Sequence, residues 1–477
     1  MAMTLAAVCV QGVHPYVEDA EIYVPGIKKL LNPGLYPSNS EFFMSHAGMT
    51  LFPNFVAASI RIVHISTEWA LFLWQIVTIF LLLWACWRIG KATFPAAQSA
   101  WAGTALVAAL LSIPVAGTAL YIMDQYITTR AFSTAATLWV VAEAIERNWI
   151  RAGLWLLFTA LIHPLMVLFC VSYAALFYLV EHDWSPFRSS TAAAAVFTLL
   201  PTRLFPPVTD AYREVLDTRS YFSLLRWQWY EWLGIFGPLL LMEWFRRIAR
   251  RHNLAVLERI CRTTILFGIL WFAAALVVSV PPSLAQFAKL QPLRALQLEF
   301  ILLFLCAGGL LGQFVLQRVL WRWLVLFVPI CAGMFYAQRQ LFPATSHIEW
   351  PGAPSPNPWV QAFVWVRFNT PRNAMFALDP RFMLAPQEDQ QGFRALAERS
   401  RIADRVKDSG AVTMFPQLAE RWRAQVRALD GWEHFTAADF ARLKQRFGVD
   451  WVVLERPAGE GMQCPYENER LRVCHLP

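Results

Sequence analysis

A mainly α-helical, polytopic membrane bundle with a small C-terminal α/β domain outside the membrane is the fold class this sequence predicts. Three observations carry it. Of 477 residues, 57% are hydrophobic and only 16% charged, whereas an average soluble domain is about a quarter charged. The apolar residues come in long blocks, and a helix of roughly 20 such residues crosses a hydrocarbon core. From residue 338 onward the blocks stop and dense charge of both signs replaces them. The 22 Trp and 35 Phe agree, because aromatic rings collect at membrane–water interfaces. A soluble enzyme, a disordered chain and a disulfide-rich secreted module are excluded. The net charge of +8 is accounted for by Lys and Arg on an inner face, with no nucleic acid needed.

Residues 2–10 are apolar, half a membrane span, and lack the basic start and cleavage site of a signal peptide. A truncated first helix is one reading. Segments 67–87, 99–120, 191–206, 231–247, 263–280, 295–315 and 320–337 follow as candidate spans, with 132–147 shorter. The block 152–180 is interrupted by His163-Pro164. Read as two spans, it places Arg246, Arg247, Arg250, Arg251, Arg259 and Arg262 on the inner face together with Arg88/Lys91, Arg147/Arg151 and Arg318/Arg322. Its first half, 152–163, is then about 18 Å long, too short to cross alone. Short helices are tolerated where they line a cavity, so a cavity is expected there. The total is about 11 membrane segments, with the N-terminus inside.

Residues 1–337 form the membrane domain, with a first outer loop at 13–66. A Pro-rich linker, 338–360, leads to a periplasmic domain, 361–477. In that tail 373–378 and 451–454 pattern as strands, and 392–399, 417–428 and 437–447 as helices. Six cysteines, Cys9, Cys86, Cys170, Cys261, Cys306 and Cys331, lie in or beside apolar blocks, where Cys acts as a small hydrophobe. Cys464 and Cys474 flank a turn, and spacing alone leaves open whether they pair.

The first outer loop holds the most chemistry. His14-Pro15-Tyr16-Val17-Glu18-Asp19-Ala20-Glu21 puts three carboxylates within four positions just past a membrane helix. One reading is a solvated loop. The other is a catalytic group at a cavity mouth, where a carboxylate within hydrogen-bond reach deprotonates an acceptor hydroxyl. Clustered acids also hold divalent ions, so Asp19 and Glu21 are candidate ligands for Mg or Mn. Residues 28–37 and 41–65, which include His46, read as helices lying in the interface.

This layout resembles the type C glycosyltransferases, integral membrane enzymes that take a sugar from a polyprenyl-phosphate donor. They carry an acidic motif in the first outer loop, followed by two interfacial helices, many membrane helices and often a periplasmic tail. Glu18-Asp19 and Asp19-x-Glu21 both match variants of that motif. Asn369-Thr370-Pro371-Arg372-Asn373-Ala374-Met375-Phe376 is similar to a stretch that opens such tails, with Asn373 in place of the usual Asp. The resemblance implies an inverting transfer at the outer face of the bacterial inner membrane. Asp19 would be the base and Glu18 or Glu21 its helper. The implied partners are a lipid-linked donor, membrane lipids and an acceptor the sequence does not identify.

Outer-face cations complete the expectation. Arg130, Arg203, Lys289 and Arg294 fall near outer helix ends. They either snorkel to lipid headgroups or bind a lipid phosphate, which the guanidinium fork suits. Glu299 is a candidate partner for Arg294. Asp124 and Arg130 pair with each other or touch substrate. His163 is either a satisfied interior side chain or a cavity wall. The sequence has no nucleotide-binding Gly-rich loop, zinc cluster or nucleophile elbow. A lipid or solute transporter, or a non-catalytic membrane scaffold, is the competing class. A transporter predicts internal repeats and midplane polar groups, and no repeat is found.

Overall fold

The computed structural model describes residues 1–183, 208–280, 282–459 and 461–476. The expected span 191–206 and Arg203 fall outside them. The chain starts with α1 (Ala2–Gln11), then three short helices, α2 (Ala20–Leu31), α3 (Glu41–Gly48) and α4 (Phe52–Val63). Five more helices follow: α5 (Thr67–Thr93), α6 (Ala97–Ala109), α7 (Thr129–Ile145), α8 (Trp149–Ile162) and α9 (Pro164–Glu181). Helices Trp229–Arg251, Ala255–Ser279, Leu296–Leu311 and Leu320–Leu341 complete the bundle.

Among the described residues five helical stretches, not eleven, are long and apolar enough to cross a membrane: Thr67–Thr93, Pro164–Glu181, Ala255–Ser279, Leu284–Leu316 and Leu320–Leu341. Trp229–Arg251 has the length but carries Glu231, Glu243, Arg246, Arg247, Arg250 and Arg251; the others are short for physical reasons. The block expected at 99–120 leaves the helix after Ala109, and its remainder folds into turns, with Val115 N–H bonded to the Leu120 carbonyl at 2.8 Å. α8 ends where Pro164 cannot continue it. α7 is buried at every position, as expected of a helix enclosed by neighbours. Close helix contacts use small residues: a Cβ on Gly308 would lie 2.6 Å from the Ala102 carbonyl oxygen.

Charge sorts to the two ends of the bundle. At one end Arg88 pairs with Glu143 at 2.7 Å, and Glu181 takes Arg147 at 2.9 Å and Arg259 at 2.6 Å. The other end carries the first loop, the 121–131 loop, the His163 break and the tail.

The tail holds one five-stranded sheet: β1 (Met375–Ala377), β2 (Ser400–Arg401), β3 (Trp451–Glu455), β4 (Gln463–Glu467) and β5 (Leu471–His475). Its order is β2-β1-β3-β5-β4, with β2, β1 and β3 parallel and β5 and β4 antiparallel to their neighbours. The helix Ala437–Phe447 starts with a capping box of Thr436 and Asp439 and stops at Gly448, whose φ is 68°. Cys464 and Cys474, on adjacent strands, form a disulfide.

The tail is stitched to the first loop. Val13 N–H donates to the His347 carbonyl at 3.1 Å, Glu18 N–H to Gln390 at 2.8 Å, and Gly392 N–H to Tyr16 at 2.8 Å. Gly12 makes the approach feasible: its φ is 77°, and a Cβ there would meet the His347 carbonyl at 2.6 Å.

Candidate functional site

Residues 13–19 run along the tail through turns and isolated bridges, with Glu18 at φ 56°, and lead into α2 at Ala20, so successive carboxylates point to different places. Asp19, at the start of α2, faces a cavity of about 800 Å3, mouth included. Tyr23 and His46 come from the short helices, and Arg130 from the first turn of α7. His163 comes from the α8–α9 break, Arg219 and Tyr221 from the loop before the Trp229–Arg251 helix, and Gln291 and Arg294 from the turn before Leu296. The tail supplies Lys407. The break that ends α8, the expected place of a cavity, borders it through His163 and Pro164.

Asp19 is held by two cations. Arg130 Nη1 donates to Oδ2 at 2.8 Å and Lys407 Nζ to Oδ1 at 3.1 Å. Burial alone would raise the Asp19 pKa, but Lys407 and Arg130 outweigh it and hold the carboxyl far below its usual range. Lys407 also contacts Glu18. Burial would lower the Lys407 pKa, yet Asp19 and Glu18 raise it, so the ammonium stays charged. Asp124 does not line the cavity. It sits behind Arg130, 2.8 Å from Nη2 and 3.2 Å from Nε, and aims the guanidinium at Asp19.

Two further cations face the cavity without an acid. Among the described residues neither Arg294 nor Arg219 has a carboxylate partner, and the Nε of each is buried and unbonded. Arg294 lies over the Tyr221 ring at 5.7 Å. The expected Arg294–Glu299 pair does not form, and both Glu299 oxygens are buried without a partner. His46 and His163 also present an unbonded Nδ1. Burial pushes the His46 pKa down to about 4, so the ring is neutral near pH 7.

The structure separates the expected site residues. Asp19, Arg130, Arg294, His46 and His163 converge, and Glu18 reaches the group through Lys407. Lys289 does not line the cavity. Glu21 points the other way and is fully buried. It accepts from Arg401 Nε at 2.9 Å and Ala395 N–H at 3.2 Å, with Arg394 at 3.5 Å. This corrects the expectation that Glu21 shares a site with Asp19: one residue between them, at the start of a helix, turns the side chains apart. Neither Lys407 nor Arg219 stands out in the sequence, because each is one charge among many in a polar stretch.

A divalent ion fits this donor set poorly. Mg and Ca sites gather several free oxygens. Here both Asp19 oxygens already accept from cations, Glu18 is paired to Lys407, and Glu21 is elsewhere. Among the described residues no group of three His, Cys, Asp or Glu forms a metal-sized cluster.

Lys407→Gln tests the electrostatics. It removes the largest charge that lowers the Asp19 pKa, so that pKa rises. A folded pKa held below the ordinary 3.8 keeps Asp19 ionised, and stabilising, at all higher pH. The benefit is full above the unfolded value near 3.8 and is lost progressively as pH falls from there through the folded value. In the variant this loss moves to higher pH, so a carbonyl-stretch titration of Asp19 shifts upward. An unshifted titration overturns the assignment.

No family model matches the chain, and no curated protein matches it. Two solved structures are similar in layout. The oligosaccharyltransferase of Archaeoglobus fulgidus in the apo form is 12% identical, with 95% of this chain and 69% of that chain covered and a TM-score of 0.49. The archaeal oligosaccharyltransferase AglB from Archaeoglobus fulgidus, in complex with an inhibitory peptide and a dolichol-phosphate, is also 12% identical. It covers 95% of this chain and 68% of that chain, with a TM-score of 0.48.

Proposed function

We propose that this protein transfers a sugar from a polyprenyl-phosphate donor to an acceptor hydroxyl, in the cavity around Asp19. One observation carries the reading: a lone ionised carboxylate shares that cavity with four cations, two of which have no acid partner. A half-buried guanidinium whose Nε is shielded and unbonded, with no counter-ion, favours an anionic ligand. Arg294 and Arg219 hold the donor phosphate. Arg130 and Lys407 move partly from Asp19 to the phosphate oxygens.

The chemistry follows from that exchange. As the phosphate draws the cations away, the Asp19 pKa rises and its oxygen becomes a better base. The acceptor oxygen attacks the anomeric carbon, and its proton goes to Asp19. The bond from that carbon to the phosphate oxygen breaks, and its electron pair leaves on the polyprenyl phosphate. The cations stabilise the charge that develops there. Neutral His46 and His163 offer ring nitrogens to sugar hydroxyls.

The cavity lies on the outer face of the bacterial inner membrane in this reading, with the tail in the periplasm. The Arg-rich opposite end supports that orientation, and the Cys464–Cys474 disulfide suits an oxidising compartment. A lipid or solute transporter would use the same cations but has no need of an ionised carboxylate among them.

The test is turnover of labelled polyprenyl-phosphate sugars by the full chain in lipid nanodiscs, with a membrane extract as acceptor source. Wild type releases polyprenyl phosphate. Arg294→Gln raises KM for the donor about tenfold or more, the scale of one lost charge-assisted hydrogen bond. No turnover across the panel by folded protein overturns the reading.

A further inference from the structure

A second cavity opens at the same end of the molecule and shares no lining residue with the first. It is about 2070 Å3, mouth included. Its walls are the first turn of α5, the connector 346–355 and the tail helix Pro358–Asn369. Aromatic faces dominate: Trp69, Trp350, Trp365, Phe368 and Tyr466. Trp350 is 57% exposed and Phe368 72%. Large rings left in the open beside a cavity mark a binding surface.

The cations around this cleft differ from Arg294 and Arg219, because each already has an acid partner. Arg367 pairs with Glu68 at 3.4 Å and Glu398 at 3.0 Å, Lys28 with Glu398 at 2.8 Å, and His14 with Glu349 at 2.7 Å. No lone cation here calls for a phosphate or carboxylate. Each paired carboxylate keeps lone pairs free to accept further hydrogen bonds. Flat apolar rings bordered by such acceptors match an uncharged sugar chain, whose C–H faces lie on rings and whose hydroxyls donate to oxygens.

We infer that this cleft docks an uncharged oligosaccharide, the glycan part of the acceptor. The docking stands on the cleft alone, while the acceptor role rests on the function proposed above. Tyr16, on the cleft, and Asp19, in the first cavity, are three residues apart. That chain spans at most about 11 Å, which places the cleft beside the first cavity.

The experiment uses the full chain in nanodiscs and three neutral probes: chitotetraose, maltotetraose and cellotetraose. Saturation-transfer NMR reads binding, and release of polyprenyl phosphate to water reads the first cavity. At least one tetrasaccharide binds wild type. Trp350→Ala weakens it tenfold or more, Trp350→Tyr restores most of it, and Arg294→Gln leaves it unchanged. Donor cleavage by water persists in Trp350→Ala. The inference is overturned if none of the three binds or if Trp350→Ala binds as well as wild type. It is equally overturned if brominated acyl chains quench a Trp that is lost in Trp350→Ala, since lipid then fills the cleft. Saccharide binding without any donor cleavage would instead count against the proposed transfer reaction.

Discussion

Asp19→Asn abolishes sugar transfer and leaves donor binding intact. The amide keeps the shape of the side chain but can neither take the acceptor proton nor carry the charge. Loss of a general base costs about 10²–10⁴-fold in rate. The fold survives, because each cation keeps an acid: Arg130 retains Asp124 at 2.8 Å, and Lys407 retains Glu18. Both cations also lose a competitor for the phosphate, so donor affinity holds or tightens. Single-turnover kinetics on labelled donor, beside equilibrium binding of polyprenyl phosphate, check the two halves separately. Full turnover in the variant moves the base elsewhere. Lost binding with unchanged chemistry makes Asp19 a phosphate-site residue instead.

Glu21→Ala has the largest effect on stability. Glu21 is at the centre of a buried network that seats the tail on α2. Arg401 reaches it at 2.9 Å and Arg394 at 3.5 Å, and Arg394 also binds Asp408 at 2.8 Å. Removing Glu21 leaves Arg394 on Asp408 and Arg401 on Asp404, so what is lost is the charge-assisted hydrogen bonds to Glu21, about 1.5–3 kcal/mol, rather than the larger cost of a fully stranded charge. Gly392 passes so close that a Cβ there would lie 2.8 Å from Glu21 Oε2, so a water-sized gap opens against the tail backbone when the side chain is removed. Thermal unfolding and protease cutting between membrane and tail report the loss. Glu21→Gln, which keeps volume and an acceptor for Ala395 N–H, loses less. Per folded molecule, both variants turn over as wild type does. A stable but inactive Glu21→Gln would return Glu21 to the chemistry.

The two variants divide an acidic run that the sequence presents as uniform. Glu18, Asp19 and Glu21 have the same chemistry within four positions, and nothing local says which one faces substrate. Composition and block length were enough for a helical bundle with a polar tail, since water and hydrocarbon sort residues whatever the details of packing. Local signals also held in the tail. The segment expected at 437–447 is the helix Ala437–Phe447, and 451–454 lies within β3, because capping and alternation act over a few residues. The short edge elements escaped: β2 is two residues long, too brief for any periodicity.

By itself the sequence determined the coarse plan: an apolar helical body with a polar tail, where Pro164 must break a helix, which end collects arginine. Only the tertiary structure decided which charges meet. Lys407 lies 388 positions from Asp19 along the chain, and Arg401 lies 380 from Glu21. A Coulombic partner is selected by distance in space, and the sequence carries no record of that distance until the tail has folded onto the first loop.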